Sequence, residues 1–132
     1  MGSEKLIGYL KDVKFSFNSY TMNLPSIMIG KAAVEDRDYF ESTTGKIVAT
    51  RERFKAQLRE MGFKFPDSKA NFVFAMHPGF SGDYLFAELR KRNIVVRHWN
   101  APAIRAFLRI TIGTDEQMDA VAAALREITT AK

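Results

Sequence analysis

The chain has no cysteine and only two histidines, His77 and His98, in 132 residues. The first absence excludes disulfides and thiolate metal sites, and the second leaves no His-Glu-x-x-His zinc helix. A serine-centred nucleophile elbow, a Walker phosphate loop and a dinucleotide fingerprint are missing too. No run approaches the roughly 18 uninterrupted apolar residues a membrane span requires. Nothing after Met1 reads as a charged segment followed by a secretory apolar one. Repeats, low-complexity tracts and linkers are likewise absent. The expectation is a soluble, cytoplasmic protein without a metal or membrane partner.

What is present reads as globular: 46% of residues are hydrophobic and 27% charged, enough for one domain over residues 1–132 with a real core. The formal charge is +5, but acids such as Glu52, Glu60, Asp83, Glu88 and Glu127 are interleaved with the bases, so no nucleic acid partner is expected. The densest basic cluster, Arg90-Lys91-Arg92, falls at the end of a helical pattern, where cations suit the dipole and the solvent.

The periodicity predicts the order α-α-α-β-α-β-β-α. Lys5 to Leu10 forms a short helix, followed by a turn over Asn18 to Asn23. Pro25 opens a helix that is apolar almost all round from Leu24 to Val34, which calls for cover on more than one side. Phe40, Thr43, Ile47, Thr50, Phe54, Leu58 and Met61 recur at three and four, closing at Gly62. Lys46, Arg51, Arg53, Lys55 and Arg59 read as that helix's solvated face, and Gly45 marks a candidate kink. Asn71 to Met76 is strand-like, ended by His77-Pro78-Gly79. A helix capped near Ser81 or Asp83 then turns Tyr84, Leu85, Phe86 and Leu89 inward, before a strand over Ile94 to Val96. The segment from Val96 to Phe107 is too short for a covered parallel crossover, which favours antiparallel pairing. Thr114 and Gln117 fit a capping box ahead of the stripe Met118, Val121, Ala122, Leu125 and Ile128. The fold class is α+β in two layers, with about three mainly antiparallel strands and helices on one face, preceded by a long N-terminal helix.

Two residues resist this patterning. Arg109 stands inside Phe107-Leu108-Arg109-Ile110-Thr111-Ile112, and Arg97 ends Ile94-Val95-Val96-Arg97. A guanidinium cannot escape burial by losing its proton, so it requires an anion or a wet cleft. Adjacent strands could aim both forks at one anion. His98 and His77 read as structural, and the Asn71 amide is expected to bond backbone at a bend.

Five blocks in order resemble histidinol-phosphate aminotransferases. They are Asp12-Val13-Lys14-Phe15-Ser16-Phe17-Asn18-Ser19-Tyr20, Ile47-Val48-Ala49-Thr50-Arg51-Glu52-Arg53, Ser68-Lys69-Ala70-Asn71-Phe72-Val73-Phe74, Val95-Val96-Arg97-His98 and Phe107-Leu108-Arg109-Ile110-Thr111-Ile112-Gly113-Thr114. The likeness spans the chain but only the C-terminal small domain of that family, a fold type I pyridoxal-phosphate enzyme. Met1 to Ile7 resembles the stretch just downstream of the cofactor lysine, which places Met1 at an internal family position. Thr21 departs from the proline usual after the Asn-Ser-Tyr turn.

The resemblance implies that the whole enzyme exchanges an amino group between histidinol phosphate and 2-oxoglutarate on pyridoxal phosphate. It implies that Arg109 binds the acidic end of both substrates and that Arg97 assists with the phosphate. No catalytic lysine or cofactor-binding residue is carried onto this chain, so the chain alone is expected to be inactive and to bind the cofactor at best nonspecifically. The implied partners are a missing N-terminal large domain, a second subunit and small anionic substrates, with residues 1–34 as the interdomain or dimer-contacting segment. Two alternatives stand beside this reading. One is the same domain in an aromatic amino acid aminotransferase or a threonine-phosphate decarboxylase; the other is a non-catalytic binding module using the Leu24 to Val34 helix.

Overall fold

The computed structural model describes residues 2–16 and 22–130. Eight elements follow the order the periodicity predicts: α1 (Glu4–Phe15), α2 (Leu24–Glu35), α3 (Arg37–Glu60), β1 (Phe72–Ala75), α4 (Gly82–Lys91), β2 (Arg97–His98), β3 (Leu108–Thr111) and α5 (Asp115–Thr130). The chain divides into two compact units, Met1–Phe40 and Glu41–Lys132.

In the first unit, local chemistry sets the helix starts. Ser3 caps α1 by accepting from the Leu6 N–H, and Asn23 caps α2 by accepting from the Ser26 N–H at 2.9 Å, with Pro25 in the first turn. The helix expected over Lys5 to Leu10 runs on to Phe15. Most of the turn expected over Asn18 to Asn23 lies outside the described residues. Neither α1 nor α2 buries a residue, and Leu24, Ile27, Met28, Ile29 and Val34 are all exposed. Among the described residues nothing supplies the cover that α2's composition calls for.

The second unit holds the core. Phe54 and Leu58 of α3, Leu85 and Leu89 of α4, and Met118, Val121, Leu125 and Ile128 of α5 pack with Val73, Ala75, Leu108 and Ile110 of the sheet. The strand order is β1-β3-β2, with β3 antiparallel to both neighbours. Burial alternates along β1 and β3, so one face of the sheet meets the helices and the other does not. This is the two-layer α+β arrangement.

The helix ends follow the expected chemistry. Gly62 at φ +80° closes α3, with the Phe63 N–H donating to the Leu58 carbonyl and the Gly62 N–H to Arg59. Asn93 at φ +60° does the same for α4, where the Ile94 N–H donates to Leu89. Ser81 caps α4, and the Thr114–Gln117 box is reciprocal: the Thr114 N–H donates to the Gln117 side chain and the Gln117 N–H to the Thr114 hydroxyl.

Three expectations need correction. Ile94 to Val96 pairs with no strand, because Ile94 is consumed in closing α4 and Val95 is exposed; the strand is confined to Arg97–His98. Tyr84 points outward, stacking on Phe80. Arg51 and Lys55 are not solvated but buried, because the segment between Lys64 and Asn71 crosses that side of α3. The Arg51 Nη1 donates to the Ala70 carbonyl at 3.1 Å, and the Lys55 ammonium lies between the Glu52 and Asp67 carboxylates.

Gly82 shows how closely α4 approaches the turn before β3. A Cβ there would strike the Arg105 carbonyl oxygen and sit 2.9 Å from the Ala106 carbonyl carbon, so backbone would have to move. Gly82→Ala is expected to cost about 1 to 2 kcal/mol, despite alanine's better helix propensity. A thermal melt no lower than that of the wild type would contradict this.

Candidate functional site

The candidate site lies on the sheet face turned away from the core helices. Alternation puts Arg109 there with Phe72 and Phe74, opposite the buried Val73, Ala75, Leu108 and Ile110. In register, Phe74 pairs with Arg109 across β1 and β3, and Arg97 pairs with Arg109 across β2 and β3. The two arginines singled out in the sequence are therefore direct cross-strand partners.

Their surroundings are aromatic rather than acidic. The Arg109 guanidinium carbon lies 5.4 Å from the centre of the Phe72 ring and 5.7 Å from that of Trp99, and Arg97 lies 5.0 Å from Trp99. Phe74 meets Trp99 edge to face at 6.1 Å and stacks on Phe107 at 4.6 Å. Among the described residues no carboxylate reaches salt-bridge distance of either guanidinium. The Arg109 Nε is buried with no hydrogen-bond partner. An unmet donor on a permanent cation costs stability until an acceptor arrives. Arg97 is more exposed and edges an open groove of about 450 Å³ shared with Phe86, Val95 and Thr111.

Sequence reasoning missed the rings. Phe72 and Phe74 enter the sequence patterning only as part of a strand-like run, and Trp99 has no part in it. The available signal was the two-residue spacing, which sends Phe72 and Phe74 to the same face, and the Arg97-x-Trp99 pattern beside it.

The histidines are structural. The His98 ring shares a 2.8 Å hydrogen bond with the Arg105 carbonyl and stacks on Phe86, away from the Arg109 side. At His77 the Gly79 N–H donates to Nδ1, so Nε2 carries the proton and donates to the Met61 carbonyl at 3.0 Å. Asn71 stands exposed at a bend. Its carbonyl accepts from the Ile112 N–H, but its side chain bonds nothing among the described residues, contrary to the backbone partner expected. The Arg90-Lys91-Arg92 cluster is tied up at the surface, with Lys91 and Arg92 both on Glu88.

Lys55 is the one buried lysine among the described residues. The hydrogen bonds it donates, to Asp67 first and Glu52 second, raise its pKa, holding it as an ammonium. It is thus unsuited to nucleophilic attack on a carbonyl, which needs the neutral amine. No cluster of metal-ligating side chains occurs among the described residues, and no helix among them is long and apolar enough to cross a membrane.

Comparison with known proteins gives the family of the chain. The profile of the family "Aminotransferase class I and II" matches residues 1–125. The chain is 48% identical over 128 residues to the histidinol-phosphate aminotransferase of Aromatoleum aromaticum, covering 97% of this chain and 36% of that protein. It is 44% identical over 119 residues to that of Brachyspira hyodysenteriae, covering 90% and 34%. The chain thus spans about a third of these relatives' length. Among solved structures, the histidinol-phosphate aminotransferase of Clostridium acetobutylicum superposes with a TM-score of 0.76 at 25% identity, over 92% of this chain and 38% of that one. That of Sinorhizobium meliloti, in complex with pyridoxal-5'-phosphate, gives 0.67 at 29% identity, over 76% and 28%. With the profile matching nearly its whole length, the chain belongs to the class I and II aminotransferase family.

Proposed function

We propose that this chain is the substrate-binding C-terminal part of a cytoplasmic histidinol-phosphate transaminase and that Arg109 and Arg97 hold the remote anion of the substrate. One observation carries the reading: two guanidiniums face each other across β2 and β3 with no carboxylate partner among the described residues. A planar fork with several donors suits a phosphate in one half-reaction and a carboxylate in the other. Binding energy gathered at the far end of the substrate orients its reacting end.

In the whole protein, pyridoxal phosphate would carry the amino group between histidinol phosphate and 2-oxoglutarate. The described residues do not fit that group: Lys55 is committed to carboxylates, and no other buried lysine accompanies it. We therefore assign the cofactor's anchoring lysine to a large domain beyond this chain and expect the chain alone to be inactive. The test is a chimera in which this chain replaces the matching C-terminal third of the Clostridium acetobutylicum enzyme. Turnover of histidinol phosphate in preference to aromatic amino acids or threonine phosphate is expected. A folded, cofactor-loaded chimera that ignores histidinol phosphate would refute the assignment.

The bare apolar surface of α1 and α2 belongs to the same reading. We assign residues 1–34 to contacts with the large domain and a second subunit, which fits the exposure of Leu24, Ile27, Met28, Ile29 and Val34. The chain alone is expected to self-associate, seen as a concentration-dependent sedimentation coefficient. A clean monomer at high concentration would count against this.

A further inference from the structure

Arg97 and Arg109 are a like-charged pair placed directly opposite each other, an arrangement that ordinarily destabilises a sheet. A neighbouring carboxylate would relieve the repulsion but would also occupy the N–H donors. The structure places an indole there instead. Trp99 lies within cation–π reach of both guanidiniums, at 5.0 Å from Arg97 and 5.7 Å from Arg109. It is held in turn by Phe74, whose other contact is the stack on Phe107. A ring engages a cation electrostatically without accepting its in-plane hydrogen bonds, so the forks stay available.

We propose that Trp99 is a positioning residue: its ring bridges Arg97 and Arg109 and keeps the two forks turned toward one shared oxyanion. The inference rests on the reading that these arginines bind the substrate's anion, and it adds a residue that need not touch the substrate. Indole is the strongest of the aromatic partners for a cation, and phenyl is a weaker version of the same contact. An aliphatic side chain of similar bulk provides none of it.

Trp99 is the chain's single tryptophan, so its emission reports on the site directly. Titration of the chain with inorganic phosphate is expected to change that emission saturably, and Arg97→Ala and Arg109→Ala should abolish the change. Calorimetry then reads phosphate affinity in variants that lack the reporter. Trp99→Leu is expected to bind about tenfold more weakly, equivalent to about 1.4 kcal/mol, and Trp99→Phe to recover most of the loss. The wild-type Arg97 Nε–H proton should also show an upfield ring-current shift by NMR, and the Arg97 and Arg109 Nε–H shifts should both move downfield in Trp99→Leu, with Phe72 at 5.4 Å accounting for what remains at Arg109. Absence of the wild-type Arg97 shift overturns the proposal even if a variant fails to fold. Unchanged affinity in Trp99→Leu overturns it while leaving the anion reading intact. No phosphate response in the wild type overturns both.

Discussion

Arg109→Ala in a chimera carrying this chain is expected to lower kcat/KM by about two to three orders of magnitude, or about 3 to 4 kcal/mol, in both half-reactions. The size follows from the site. Arg109 lies in the central strand, half-buried between the Phe72 and Trp99 rings, where water is reduced and a charge-assisted bond is stronger than at the surface. Truncation would leave an incoming anion desolvated without its fork. Arg97→Ala should cost less, because Arg97 is exposed on the edge strand and water can take its place. The comparison between half-reactions is the discriminating measurement. If histidinol phosphate turnover collapsed while the 2-oxoglutarate half-reaction was spared, Arg109 would not be a shared anchor.

The second large effect concerns stability. Lys55 is almost completely buried, while its partners Glu52 and Asp67 are half exposed. That asymmetry predicts opposite outcomes for the two sides of the cluster. Removing both acids in Glu52→Ala/Asp67→Ala strands a buried cation and should cost about 3 kcal/mol, the low end for a broken buried pair because some water can follow. Replacing the cation in Lys55→Met keeps the packing and leaves two solvated acids beside Arg51 and Lys69, so it should stay within about 1 kcal/mol of the wild type. Chemical denaturation of both variants decides the matter, and equal losses would show that burial of the charge is not the governing term.

The same cluster sets a pH dependence. Asp67 is held below the usual carboxylate range chiefly by its hydrogen bond from Lys55, and Glu52 by Lys55 and then Arg51. Their stabilisation is present above the unfolded carboxylate pKa and is lost as pH falls through the lower folded values, that is below about pH 4. The raised pKa of Lys55 works at the other end: its contribution is complete below about pH 10 and lost as pH rises through the folded value.

Much of this architecture could be read from residue spacing, because local rules dominate there. The capping box at Thr114 and Gln117, the glycine closing α3 and the stripe of α5 each depend on residues within a few positions of one another. Arg109 was legible for a related reason: a cation in a run of β-branched and aromatic residues conflicts with its setting, and such conflicts gather where function is. What escaped depended on distant segments. Arg51 and Lys55 look solvated on a helical wheel because the segment that covers them lies 12 or more residues away, at Asp67 and Ala70. The Trp99 contact with Arg109 likewise needs β2 and β3 paired in register before it exists.

The strand order has a consequence for how the molecule comes together in time. β3 lies between β1 and β2, although both precede it in the chain. Before Leu108 to Thr111 has been made, β1 and β2 have no strand to pair with among the described residues, and only the Lys64–Met76 bridge and the Ser68 hydroxyl hold the ends of β1. Phe72, Phe74, Arg97 and Arg109 are therefore assembled by one late, long-range event rather than one after another. A chain ending just short of residue 108 would be rich in helix with its two arginine-side strands unpaired, and four more residues would supply the strand that both require.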